Sequence, residues 1–102
     1  MKKVTVHLIE SNYLGDFYFT QDAVALARKH LEAGNYSKVE VEVFGGLVGE
    51  DAAEAVFELT NHPGLNGERK RKYGNGRSVS VGDMVEVDGV RWLCRPNGWL
   101  AV

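Results

Sequence analysis

Three histidines and one cysteine are the first residues of this sequence to weigh for chemistry. A zinc site needs three or four convergent ligands. His7, His30, His62 and Cys94 show no HxxxH or CxxC spacing that would bring two of them to one face. A thiol nucleophile would need a base and an orienting acid, and Cys94, His62 and Asp83 supply the residue types. Spacing gives them no common geometry, and Cys94 alternates with Val90 and Trp92 as a small buried side chain does. Ser78 and Ser80 lack the GxSxG context of a serine nucleophile. Gly45-Gly46-Leu47-Val48-Gly49 could offer amides to an anion ahead of a helix. No lysine follows as in a P-loop, and Glu50-Asp51 would repel a phosphate, so a plain strand-to-helix turn is expected. No catalytic residue, metal or cofactor is expected, and the chain reads as a non-enzyme.

The charge map offers binding rather than catalysis. The net charge is −2. Segment 67–77 holds five basic residues and one acidic, so it carries +4 and leaves −6 on the rest. It lacks apolar periodicity, has three glycines and is expected to be an exposed loop. Arg69, Lys70, Arg71, Lys72 and Arg77, with Tyr73 among them, form a basic-aromatic patch that could neutralise phosphates. They are the candidate macromolecule-binding residues, and a nucleic-acid contact is the alternative to a protein contact. The acidic body would repel a long duplex. Glu54 and Glu58, four apart on one helix face, join Glu40, Glu42, Glu50 and Asp51 in a negative stripe that suits a basic protein surface. Tyr13, Phe17 and Tyr18 crowd the stretch 10–19, which reads as an aromatic loop that packs on the sheet or forms part of a contact surface, and Trp99 stands near the end of the sequence. With Glu54 and Glu58 they are the candidate protein interface.

The elements that must position these residues follow from periodicity. Val4, Val6 and Leu8 alternate with Thr5 and His7, and Val39, Val41 and Val43 alternate with Lys38, Glu40 and Glu42. Both segments read as strands with one buried face. Thr20 is a candidate N-cap for a helix over 21–33, which Gly34-Asn35 would stop. Ala52, Ala55, Val56 and Leu59 give a second helix, stopped before Pro63. Val79 and Val81 suggest a strand, and Asp83 beside Gly82 an Asx-type turn. Val85 and Val87 meet Asp88-Gly89, a two-residue hairpin signal, and Val90 to Cys94 continues the pairing. The order β-α-β-α-β-β-β predicts one α+β domain, with two helices covering one face of a largely antiparallel sheet of about five short strands. The first β-α-β could be a parallel crossover. The last strand could lie at an edge and pair with a second copy, giving a homodimer.

Apolar residues make up 44% and charged residues 25% of the 102, which excludes a disordered chain. No stretch approaches ~18 consecutive apolar residues, so no membrane span is expected. A lone cysteine and polar residues from Glu10 onward suit a cytoplasmic protein without a signal peptide.

One resemblance rests on named residues. Asn61-His62-Pro63 is followed by Arg77-Ser78-Val79-Ser80-Val81-Gly82-Asp83 and a closing Gly98-Trp99. Segment 55–102 resembles the YodL-like domain of small phage, plasmid and conjugative-element proteins. The resemblance implies a mobile-element origin and a non-enzymatic accessory role, and no site residues; with the charge map, the expected action is binding to a host or mobile-element protein.

Overall fold

The computed structural model describes residues 1–74 and 76–102. Strand β1 (Lys2–Ile9) lies one strand in from the edge, and the edge strand β2 (Tyr36–Val43) runs antiparallel beside it with Val6 opposite Val39. On the other side lie β3 (Met84–Val87), β4 (Val90–Arg95) and β5 (Gly98–Ala101), giving the order β2-β1-β3-β4-β5. Every pairing is antiparallel, so the first crossover is not parallel. The fold class is α+β, with a five-stranded antiparallel sheet. Asp88 and Gly89 both have positive φ, 49° and 84°, the geometry a tight β3–β4 hairpin requires.

The helices are not confined to one face. Helix α1 (Asp16–Phe19) and helix α2 (Ala23–Glu32) follow β1. Helix α3 (Gly49–Asn61) follows β2, and helix α4 (Asn66–Lys72) follows a single 3-10 turn at Pro63–Leu65. Alternation assigns Val4, Val6, Val41, Val43, Val85 and Val87 to one face, where Ala52, Ala53, Val56 and Leu59 of α3 cover them. Ile9, Met84 and Leu93 point the other way and pack with Phe17, Ala23 and Ala27. Leu93 is therefore fully buried between Trp92 and Cys94, which face α3. Each large apolar side chain so covered contributes about 1.5–3 kcal/mol.

Three local expectations are corrected. The α2 cap is Asp22, whose carboxylate accepts from the Ala25 amide, while Thr20 accepts from Asp22 N–H one step earlier. Segment 13–19 is not a loop: a 3-10 turn (Ser11–Tyr13) and α1 fold it so that Phe17 is fully buried. Val79 and Val81 are buried but belong to no strand, because side chains satisfy the backbone there. The Thr60 hydroxyl accepts from Val79 N–H at 3.0 Å, and Asn61 donates to the Val79 carbonyl at 2.9 Å.

Candidate functional site

The residues of the basic segment divide sharply. Glu68 pairs with Arg71 and Lys72 one turn on, and four basic side chains lie at the C-terminal end of α4, where the helix is negative. Those charges make 66–72 a helix instead of the exposed loop expected for 67–77. Arg69 turns inward. Its guanidinium donates to the Thr60 carbonyl at 3.0 Å, the Ser78 hydroxyl at 3.1 Å and the Gly76 carbonyl at 2.6 Å. Tyr73 is buried, lies 5.7 Å from the Arg69 guanidinium and donates to the Arg77 carbonyl at 2.5 Å. Burial foremost, and then the charge of Asp83, push its phenol up to about 12.

Arg77 completes the network. β3 begins only at Met84, so the backbone of Ile9 has no strand partner on that side. Asp83 and Arg77 stand in for one. The Asp83 carboxylate accepts from Ile9 N–H and from Ser80 N–H, both at 2.8 Å. Arg77 donates to the Ile9 carbonyl at 2.7 Å and to both Asp83 oxygens at 2.8 Å. The hydrogen bonds it donates to Asp83 hold the guanidinium above its ordinary value. Gly82 must be glycine: its φ is +101°, and a Cβ there would lie 2.7 Å from the Phe17 ring. Ser78 donates to the Thr60 carbonyl at 2.7 Å, so the serine is structural too. Asn61, Arg77, Ser78, Ser80 and Asp83 thus clamp the 76–83 segment to α3 and β1.

Arg69, Tyr73 and Arg77 are therefore corrected from an exposed patch to an interior scaffold. Lys70 and Arg71 remain exposed on α4, Lys72 is half-buried at its end, and Arg71 and Lys72 share Glu68. The interface candidates are also not brought together. Phe17 is core, Tyr13 packs its ring 4.5 Å from His30, and only Tyr18 is exposed, beside exposed Phe19. These stand with α1 and α2, whereas Glu54 and Glu58 belong to α3. Trp99 is half-buried edge-on to Phe57 and donates to Glu54 at 2.9 Å.

Sequence reasoning missed a groove at the junction of β2, α3 and α4. Val43, Phe44, Leu47, Ala55, Leu59 and Leu65 form its apolar lining, and it holds about 310 Å³. Phe44 is 68% exposed and Val48 61%, so the β2–α3 turn presents apolar surface directly to solvent. Glu42, Glu58, Glu68 and Lys72 rim it. Lys72 and Arg71 neutralise Glu68, but among the described residues Glu42 and Glu58 have no ion-pair partner. The available signal was Phe44-Gly45-Gly46-Leu47-Val48, an apolar turn where polar residues are usual.

The thiol candidates have local roles. His62 accepts from Gly64 N–H, capping the Pro63–Leu65 turn. Cys94 is buried, and burial, then the charges of Asp83 and Glu54, push its thiol from an ordinary 9.0 to about 12. Cys94 and Tyr73 both hold their protons more tightly folded than unfolded. Their contribution is complete below the unfolded thiol value and is lost as pH rises toward about 12. The urea midpoint is expected to fall from about pH 9 upward, with Cys94 reacting with a thiol reagent only on unfolding. Equal labelling rates in the folded and urea-unfolded chain would contradict this.

Among the described residues, no cluster of three His, Cys, Asp or Glu could hold a metal ion, and no helix is long and apolar enough to cross a membrane. Comparison with family models, curated proteins and solved structures finds no match.

Proposed function

We propose that this chain is a non-catalytic accessory module that works by binding another protein through the β2–α3–α4 groove. The observation that carries the reading is the exposed Phe44 beside an apolar trough with two unneutralised carboxylates, Glu42 and Glu58, on its rim. Burying Phe44 and Leu47 supplies affinity, and the carboxylates select and orient the partner. The chemistry that fits is a basic amphipathic segment, with apolar side chains in the trough and lysines or arginines over the rim. The resemblance of segment 55–102 to YodL-like domains supports a mobile-element origin and a partner from the host or the element. The lone buried thiol suits a reducing cytoplasm.

The nucleic-acid reading has less to stand on. Three of its six residues are engaged inside the fold, which leaves Lys70, Arg71 and Lys72 on one short helix. A labelled Lys/Arg-rich amphipathic peptide serves as the probe in fluorescence anisotropy. Phe44→Ala is expected to weaken its binding about tenfold. Glu42→Gln with Glu58→Gln is expected to weaken it less and to flatten its salt dependence. Affinity unchanged by all three substitutions would overturn the groove as the docking site.

A further inference from the structure

We infer that the free edge of β2 is a self-complementary interface, through which two copies join their sheets in an antiparallel β2–β2 pair. β2 is the long edge strand of the sheet, eight residues against four in β5. The backbone sets which residues face outward. Glu10 N–H donates to the Asn35 carbonyl at 2.9 Å, one step beyond the β1–β2 ladder and in the same register. Hydrogen-bonded pairs in an antiparallel ladder recur at every second residue. Ser37, Val39, Val41 and Val43 therefore turn their N–H and C=O toward β1. Tyr36, Lys38, Glu40 and Glu42 turn theirs to the open edge.

In a two-fold pairing these outward residues must meet one another in hydrogen-bonded pairs. Two registers give the longest overlap. One centres on Glu40 and sets that carboxylate directly against its own copy, which is destabilising. The other centres on Val39. It places Lys38 opposite Glu40 of the second copy, twice over by symmetry, Tyr36 opposite Glu42, and Val39 against Val39. No like charges then face each other across the pair. Lys38 and Glu40 are exposed, and the ion pair of Glu40 with Lys3, at 3.8 Å, is between side chains exposed 67% and 69%. Glu40 can thus turn to a second lysine at little cost. Charged edge residues usually discourage pairing between sheets. Here their alternation permits one register and penalises its nearest rival. This places the homodimer at β2 instead of the last strand; β2 also walls the groove, whose rim includes Glu42, whereas Lys38 and Glu40, which set the register, do not line it.

The test is sedimentation velocity on the full chain over a concentration series up to ~1 mM, because an interface of one strand edge lies at the weak end of specific contacts. The wild type is expected to shift from monomer to dimer. Lys38→Glu and Glu40→Lys, each alone, are expected to weaken the dimer about tenfold, since each converts two attractive pairs to repulsive ones. The double variant Lys38→Glu/Glu40→Lys is expected to regain it. In the Glu40-centred register the double variant would set the lysine at position 40 against its own copy and the glutamate at position 38 against Glu42, so it would not recover. Hydrogen exchange on the wild type gives a readout free of substitutions: the amides of residues 38, 40 and 42 are expected to gain protection as concentration rises. A wild type monomeric throughout, a double variant no tighter than the single ones, or exchange at these amides independent of concentration would each overturn the proposal.

Discussion

Replacing Asp83 with alanine is expected to cost about 3–5 kcal/mol of folding stability, the scale for removing one partner of a buried ion pair. Asp83 is fully buried, and four hydrogen bonds converge on its two oxygens. Alanine would strand the Ile9 and Ser80 amides and leave Arg77, only 28% exposed, without its counter-charge. In a domain of this size the loss corresponds to a fall of roughly 15–30 °C in Tm. Arg77→Lys keeps a positive charge and loses the fork that grips both carboxylate oxygens, so its expected cost is smaller, about 1–3 kcal/mol. Urea and thermal denaturation measure both. A cost below ~1 kcal/mol for Asp83→Ala would mean that the Ile9 backbone finds other partners.

Phe17→Ala is expected to cost about 3–5 kcal/mol, as deletion of a fully buried aromatic ring does. The ring fills the space beside Gly82 and near His30, at 6.0 Å between ring centroids, and the Phe17 carbonyl accepts from Arg95 at 3.0 Å. Its neighbour supplies the control. Tyr18 is 57% exposed, and Tyr18→Ala is expected to stay within about 0.5 kcal/mol of the parent. Similar urea midpoints for the two variants would contradict the placement of Phe17 in the core.

These two variants mark where the sequence was legible and where it was not. Val4-Val6-Leu8 and Val39-Val41-Val43 state their strands outright, since alternation is a local signal and one face is buried. Ala52, Val56 and Leu59 state α3 in the same way, and Asp88-Gly89 states its turn. Phe17-Tyr18-Phe19 carries no such information, because three aromatics in a row fit any period. The second helical layer had one faint trace: Leu93 is apolar between apolar Trp92 and Cys94, the mark of a strand buried on both faces. Helix α4 is polar all round, so no apolar stripe announces it. It is held by Glu68 pairs at its surface and by Arg69 beneath.

The clamp was half legible. Asp83 does accept from a nearby amide, but that of Ser80 three residues back, not the amide two residues on that an Asx turn uses. Its bond to Ile9 spans 74 positions of sequence, and nothing local encodes it. The basic run shows the same limit. Composition counts charges, and it cannot tell Lys70, which faces out, from Arg69 and Arg77, which neutralise and satisfy groups inside the fold. The groove escaped for a related reason. Its walls come from β2, α3 and α4, and only packing makes Phe44 and Glu58 neighbours.

The working surface proposed for this molecule is the acid-rimmed apolar groove, and Arg69, Tyr73 and Arg77 of the basic segment belong to the scaffold. Amide chemical-shift mapping of the full chain, with the basic amphipathic peptide and with a single-stranded oligonucleotide as separate probes, tests that assignment most directly. The peptide is expected to shift Val43, Phe44, Leu47, Glu58 and Leu65, and the oligonucleotide to leave the spectrum unchanged at moderate salt. Shifts at Lys70, Arg71 and Lys72 with the oligonucleotide, and none in the groove with the peptide, would contradict it.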